Sequence, residues 1–138
     1  MKVLFVCEGN KFRSQMAGEF FKRLAPNAEV RTAGTLALQS GKRLDDIAPA
    51  TVGIMRELGY EISDNPITRI TPAHVEWADK IVLVGPTPAG PAPAYLAQSP
   101  KLETWDVPDP GWDQISLEGA RDMVLQKVTE LAHRTSGE

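Results

Sequence analysis

Residues 2–24 read KVLFVCEGNKFRSQMAGEFFKRL, and the hydrophobic period changes inside them. "KVLFV" (2–6) is a short, continuous apolar run, the pattern of a strand buried on both faces. From Arg13 onward, Met16, Ala17, Phe20, Phe21 and Leu24 recur at helical spacing, and "APN" stops the helix. Between the two elements lies a polar loop carrying Cys7, the single cysteine of the chain. A strand feeding a helix through a short loop is the first half of a βαβ unit.

The rest of the chain repeats the alternation. "AEVRT" (28–32) alternates at period two and places Ala28, Val30 and Thr32 on one side of a second strand. A second helix is expected after Asp46, with Pro49 in its first turn and Gly59 at its close. Thr71–Pro72 starts a short third helix reaching about Ala78. "KIVLV" (80–84) is another buried strand, 85–93 is a Pro/Gly loop, and "KLET" (101–104) is a weaker strand. Ser116 caps a last helix whose stripe is Leu117, Ala120, Val124, Val128 and Leu131. Strands alternating with helices predict an α/β fold with a parallel sheet covered on both faces. Ligands bind such sheets at the carboxyl ends of the strands, which is where "CEGNKFRS" falls.

With 138 residues, one domain spanning 1–138 is expected. A formal charge of −3 gives no electrostatic reason for a nucleic-acid or membrane partner, and no apolar run approaches the ~20 residues that span a bilayer. One cysteine excludes an internal disulfide, in keeping with a cytoplasmic location. His74 and His133 are far apart and no carboxylate cluster accompanies either, so neither a metal nor another cofactor is expected.

A helix N-terminus offers free N–H groups and a partial positive charge to an anion. Gly9 and Asn10 tolerate the left-handed backbone that a tight anion cradle uses. Five residues separate Cys7 from Arg13, so the loop can curl until sulfur and guanidinium meet one oxyanion. Arginine suits that task through its planar fork, and the positive surroundings favour a nucleophilic thiolate to which Ser14 can donate. Taken singly these residues are unremarkable: a lone cysteine is most often a small buried hydrophobe, and an arginine opening a helix is usually solvated. The spacing C-x5-R-S between a strand and a helix turns them into a nucleophile under a phosphate. "DVPDPGWD" (106–113) supplies Asp106, Asp109 and Asp113 as carboxyl groups for proton transfer, and Trp112 as a wall for an aromatic leaving group.

With these residues in view, "VLFVCEGNKFRSQMA" resembles the N-terminal signature of the low molecular weight protein tyrosine phosphatases and of the arsenate reductases built on the same fold. "TAGT" (32–35), "LGYEISD" (58–64), "ITPAHVEWADKIVLV" (70–84) and "WDVPDPGW" (105–112) fall where that family has related segments. The resemblance implies a three-layer αβα sandwich with a four-stranded parallel sheet in the flavodoxin-like order 2-1-3-4. It implies a phosphocysteine on Cys7, a phosphate held by Arg13 and the loop Glu8, Gly9, Asn10, Lys11, Phe12 and Ser14, and Asp109 as general acid and base. The implied partner is a phosphorylated protein, phosphotyrosine above all, or a small phosphate ester, with phosphate or arsenate as the loop's oxyanion. Two other functions stand beside phosphatase: an arsenate reductase completed by an external low-molecular-weight thiol, and a non-catalytic oxyanion-binding module. Glu8 departs from the family by placing a carboxylate beside the anion site, and Phe12 occupies the place of a second cysteine that many members carry.

Overall fold

A computed structural model describes residues 1–136. Strands β1 (Lys2–Cys7), β2 (Glu29–Gly34), β3 (Lys80–Leu83) and β4 (Leu102–Thr104) form one sheet in the order β2-β1-β3-β4. All three pairings are parallel, with Cys7 opposite Gly34 and Val6 opposite Leu83. β1 is central, and every residue of it after Lys2 is buried, which is why it reads as an unbroken apolar run.

Alternate residues of β1 and β3 feed two cores. Val3, Phe5 and Val82 pack with Met16, Phe20 and Phe21 of α1 (Arg13–Leu24), with α3 (Pro49–Arg56), and with Val124, Val128 and Leu131 of α6 (Leu117–Thr135). Leu4, Val6 and Ile81 pack on the other face with Ala78, just past α4 (Pro72–Trp77), and with Leu96 of α5 (Ala94–Ala97). The three-layer sandwich is therefore present, with the strand order that the resemblance implied. Ser116 caps α6 by accepting from the Gly119 amide, and Thr71 and His74 form a reciprocal cap at α4.

The differences are local. The helix expected after Asp46 begins at Pro49 as α3 and ends at Arg56, short of Gly59, and a separate turn, α2 (Leu44–Ile47), precedes it across Ala48 at φ −133°, ψ 61°. Pro49 brings no N–H to continue α2 and opens α3 at its first position instead. α5 is a single turn after a proline-rich loop, too short to show any period. β3 ends at Leu83 and β4 begins at Leu102, each one residue inside its expected bound.

Candidate active site

β1 delivers Cys7 to the carboxyl edge of the sheet, and residues 8–12 carry the chain over it into α1. Asn10 makes that curl with φ 55°; it is the one non-glycine residue in the left-handed region among the described residues. Gly9, expected to share that conformation, does not adopt it. A Cβ there would meet Lys11 Cε at 3.0 Å, near the movable end of a flexible side chain, so packing does not demand glycine at this position either. Among the described residues no protein acceptor takes the amide N–H groups of Gly9, Asn10, Lys11 or Phe12. Phe12 begins α1 without a side-chain cap and no acid stands in the first turn, so the positive helix end faces the same loop.

The loop is held from below. The Thr68 amide donates to Asn10 Oδ1 at 2.8 Å, and a backbone N–H can only donate, which fixes the orientation of the Asn10 amide. Asn10 Nδ2 then donates to Thr32 Oγ1 at 3.0 Å and to Ser14 Oγ at 2.7 Å. With that lone pair occupied, the Ser14 hydroxyl has its own proton for Cys7 Sγ, 2.9 Å away. Gln15 Nε2 ties the Asn10 carbonyl to that of Pro66. Asn10 and Ser14 are thus buried supports beneath the loop, and neither lines the cleft as a substrate contact would.

Arg13, whose default as a helix-opening residue is solvation, is 1% exposed. Burial of a guanidinium requires partners, and it has two: Nη1 donates to the Val107 carbonyl at 3.0 Å, and Nη2 to Asp109 Oδ2 at 3.2 Å. Asp109 is fixed in turn, since its Oδ1 accepts from the Gly111 amide and its own amide donates to Asp113 Oδ2. Of the three aspartates in the loop, Asp109 reaches Arg13, whereas Asp113 braces Asp109 and Asp106 points elsewhere. Trp105, packed 6.0 Å from Phe5 between ring centroids, anchors the start of this loop in the core.

Cys7, Glu8, Gly9, Lys11, Phe12, Arg13, Asp109 and Trp112 all line one open cleft of ≈ 320 Å³. Sequence reasoning missed its far wall, Leu36, Leu38 and Gln39 after β2 and Ala89 after β3. The signal was available, because these segments also follow carboxyl ends of strands. Glu8 is not the exposed rim charge that its place in a loop suggests. It is 6% exposed, and its Oε2 accepts from the Ala89 amide at 2.9 Å.

Gly85 shows how closely the arginine is packed. A Cβ there would overlap the Val107 carbonyl oxygen and Arg13 Nη1, both parts of the Arg13 seat. Gly85→Ala should cost about 1–3 kcal/mol of stability by overpacking. It should also lower kcat/KM at temperatures where the variant is folded, because Arg13 is displaced. Thermal unfolding with activity measured well below Tm checks both; a wild-type kcat/KM would show that Arg13 tolerates the shift.

The family model for low molecular weight phosphotyrosine protein phosphatases matches residues 2–138. The chain belongs to that family. Within this phosphatase family its relatives carry two activities in their names. A glutaredoxin arsenate reductase of Synechocystis sp. is 28% identical over 98% of each chain. An arsenate reductase of Shouchella clausii is 33% identical over 93% of this chain and 86% of its own. Among solved structures, the YwlE arginine phosphatase, as a cysteine-to-serine variant with a phosphorylated active-site serine, superposes with TM-score 0.79 at 25% identity, covering 99% of this chain and 96% of that one. Family membership supports an enzyme with cysteine-based hydrolase or reductase chemistry. Among the described residues no helix is long and apolar enough to cross a membrane, and no three His, Cys, Asp or Glu side chains group to hold a metal.

Proposed function

We propose that the protein hydrolyses phosphate monoesters through a phosphocysteine on Cys7. The observation that carries this reading is convergence: Cys7, Arg13 and Asp109 line one cleft, with Arg13 Nη2 3.2 Å from the Asp109 carboxylate. Mere binding of an oxyanion requires neither a nucleophile nor a placed acid, which disfavours the non-catalytic module.

A phosphoryl group enters the loop over the free amides of residues 9–12, and its oxygens take the Arg13 fork, competing with Asp109 for Nη2. The Cys7 thiolate, with Ser14 donating to it, attacks phosphorus in line with the leaving oxygen. Asp109 in its protonated form gives that proton to the departing oxygen. As carboxylate it then takes a proton from water, which attacks the phosphocysteine and returns the thiolate. Leu36, Leu38 and Trp112 line the same cleft, and Trp112, 64% exposed, is available to stack on an aromatic leaving group. On this reading the substrate is phosphotyrosine in proteins.

Asp109→Asn follows directly. It should slow alkyl phosphates, whose leaving groups need a proton, by about a hundredfold, and activated aryl phosphates far less. Parallel kcat/KM measurements on the two classes check it, and equal losses would move the acid elsewhere.

A second reading has its own support in the two relatives named as arsenate reductases. Arsenate fits the same loop, but the chain has no second cysteine to receive the disulfide, so an external thiol must complete reduction. Wild type and Cys7→Ser assayed on an aryl phosphate, and then on arsenate with glutathione or mycothiol, separate the readings. Phosphate release supports hydrolysis; arsenite formed only with added thiol supports reduction; oxyanion binding without either turnover supports the module.

A further inference from the structure

Glu8 is the cleft residue that hydrolysis of a simple phosphate leaves without a task. Its carboxylate lies on the wall beside the nucleophile, in a cleft whose ligand is an anion. Its Oε2 takes one hydrogen bond, from the Ala89 amide, and among the described residues no lysine, arginine or histidine pairs with it. The other carboxylate of the cleft, Asp109, is paired with Arg13. Before any substrate binds, the lining holds two cations, Arg13 and Lys11, against the carboxylates of Glu8 and Asp109. A dianionic phosphoryl group worsens that balance, and at 6% exposure Glu8 is poorly screened by salt. The loop amides offset the phosphate; Glu8 has the Ala89 amide alone as a bonded partner among the described residues.

We infer that Glu8 is a specificity residue that reads a cation on the leaving group, and that a phosphorylated guanidine is preferred over phosphotyrosine; this rests on the hydrolytic reading above. A guanidinium carries N–H donors next to the bridging nitrogen, and its planar fork matches a carboxylate. Its flat face also suits the apolar mouth formed by Leu36, Leu38 and Trp112, where a cation stacks on an indole as readily as a phenol does. The chemistry is unchanged in kind. The Sγ–P bond forms as the P–N bond breaks, and the leaving nitrogen keeps the electron pair and takes the Asp109 proton. Water then splits the S–P bond, its proton passing to Asp109.

The test measures binding in the Cys7→Ala protein, which has no nucleophile to take the phosphoryl group, with and without Glu8→Gln. Glutamine keeps an acceptor for the Ala89 amide, so the cleft wall remains in place. By titration calorimetry, Glu8→Gln should weaken phosphoarginine about tenfold and strengthen phosphotyrosine, moving the ratio of their Kd values by more than about tenfold. A ratio unchanged within about twofold, or no phosphoarginine binding to Cys7→Ala, would overturn the inference. Turnover of both compounds by wild type separates this from the reading beneath it. A shifted ratio without hydrolysis would sink the phosphatase and leave Glu8 as the selector. Hydrolysis with an unshifted ratio would sink the role of Glu8 alone.

Discussion

Cys7→Ser should abolish the hydrolysis of aryl phosphates, lowering kcat by about a thousandfold or more, while the protein stays folded. The two side chains differ by one atom, and Cys7 is 2% exposed at the end of the central strand, so the replacement neither opens a cavity nor crowds a neighbour. What changes is the nucleophile. A thiol is readily ionised near neutral pH and a serine hydroxyl is not, and no base stands at this position to take the hydroxyl proton: the contact of Cys7 Sγ is the Ser14 hydroxyl. Phosphate binding should persist, since the loop amides and Arg13 are untouched. Steady-state phosphate release, circular dichroism and phosphate titration together check the claim. Activity near that of wild type would remove Cys7 from the mechanism.

Arg13→Lys should be nearly as damaging, lowering kcat/KM on an aryl phosphate by about a hundredfold. The guanidinium bridges the Val107 carbonyl and Asp109 with separate nitrogens, at 3.0 and 3.2 Å, and is to hold phosphate oxygens as well. An ammonium keeps the charge but cannot reach a carbonyl, a carboxylate and a phosphate in one plane. The buried Val107 carbonyl left without its donor should also cost about 1–3 kcal/mol. Charge retention without the fork is what this substitution isolates. A rate within a factor of a few of wild type would mean that charge alone suffices.

The residues legible in the sequence are those whose role is local. The switch from "KVLFV" to Met16, Ala17, Phe20 and Phe21 marks the β1–α1 junction because burial on two faces and burial on one stripe have different periods. The spacing of Cys7 and Arg13 is short enough for the loop itself to bring them together. Strand order is another matter: β2 and β3 flank β1 through crossovers that no local pattern encodes, and the order came from family resemblance. The burial of Arg13 was equally hidden, since its seat is a carbonyl 94 residues away. So was that of Glu8, whose partner amide lies 81 residues on. Gly9 misled because glycine permits a positive φ without requiring it.

The central claim is a covalent phosphoryl group on sulfur. Wild type and Asp109→Ala, mixed with p-nitrophenyl phosphate and quenched within the steady state, can be digested and read by mass spectrometry under conditions that preserve phosphocysteine. The mechanism predicts one phosphoryl group on the peptide carrying Cys7, accumulating further in Asp109→Ala, where water lacks its base. Turnover with no phosphoryl group on that peptide, or with the group on another residue, would contradict it.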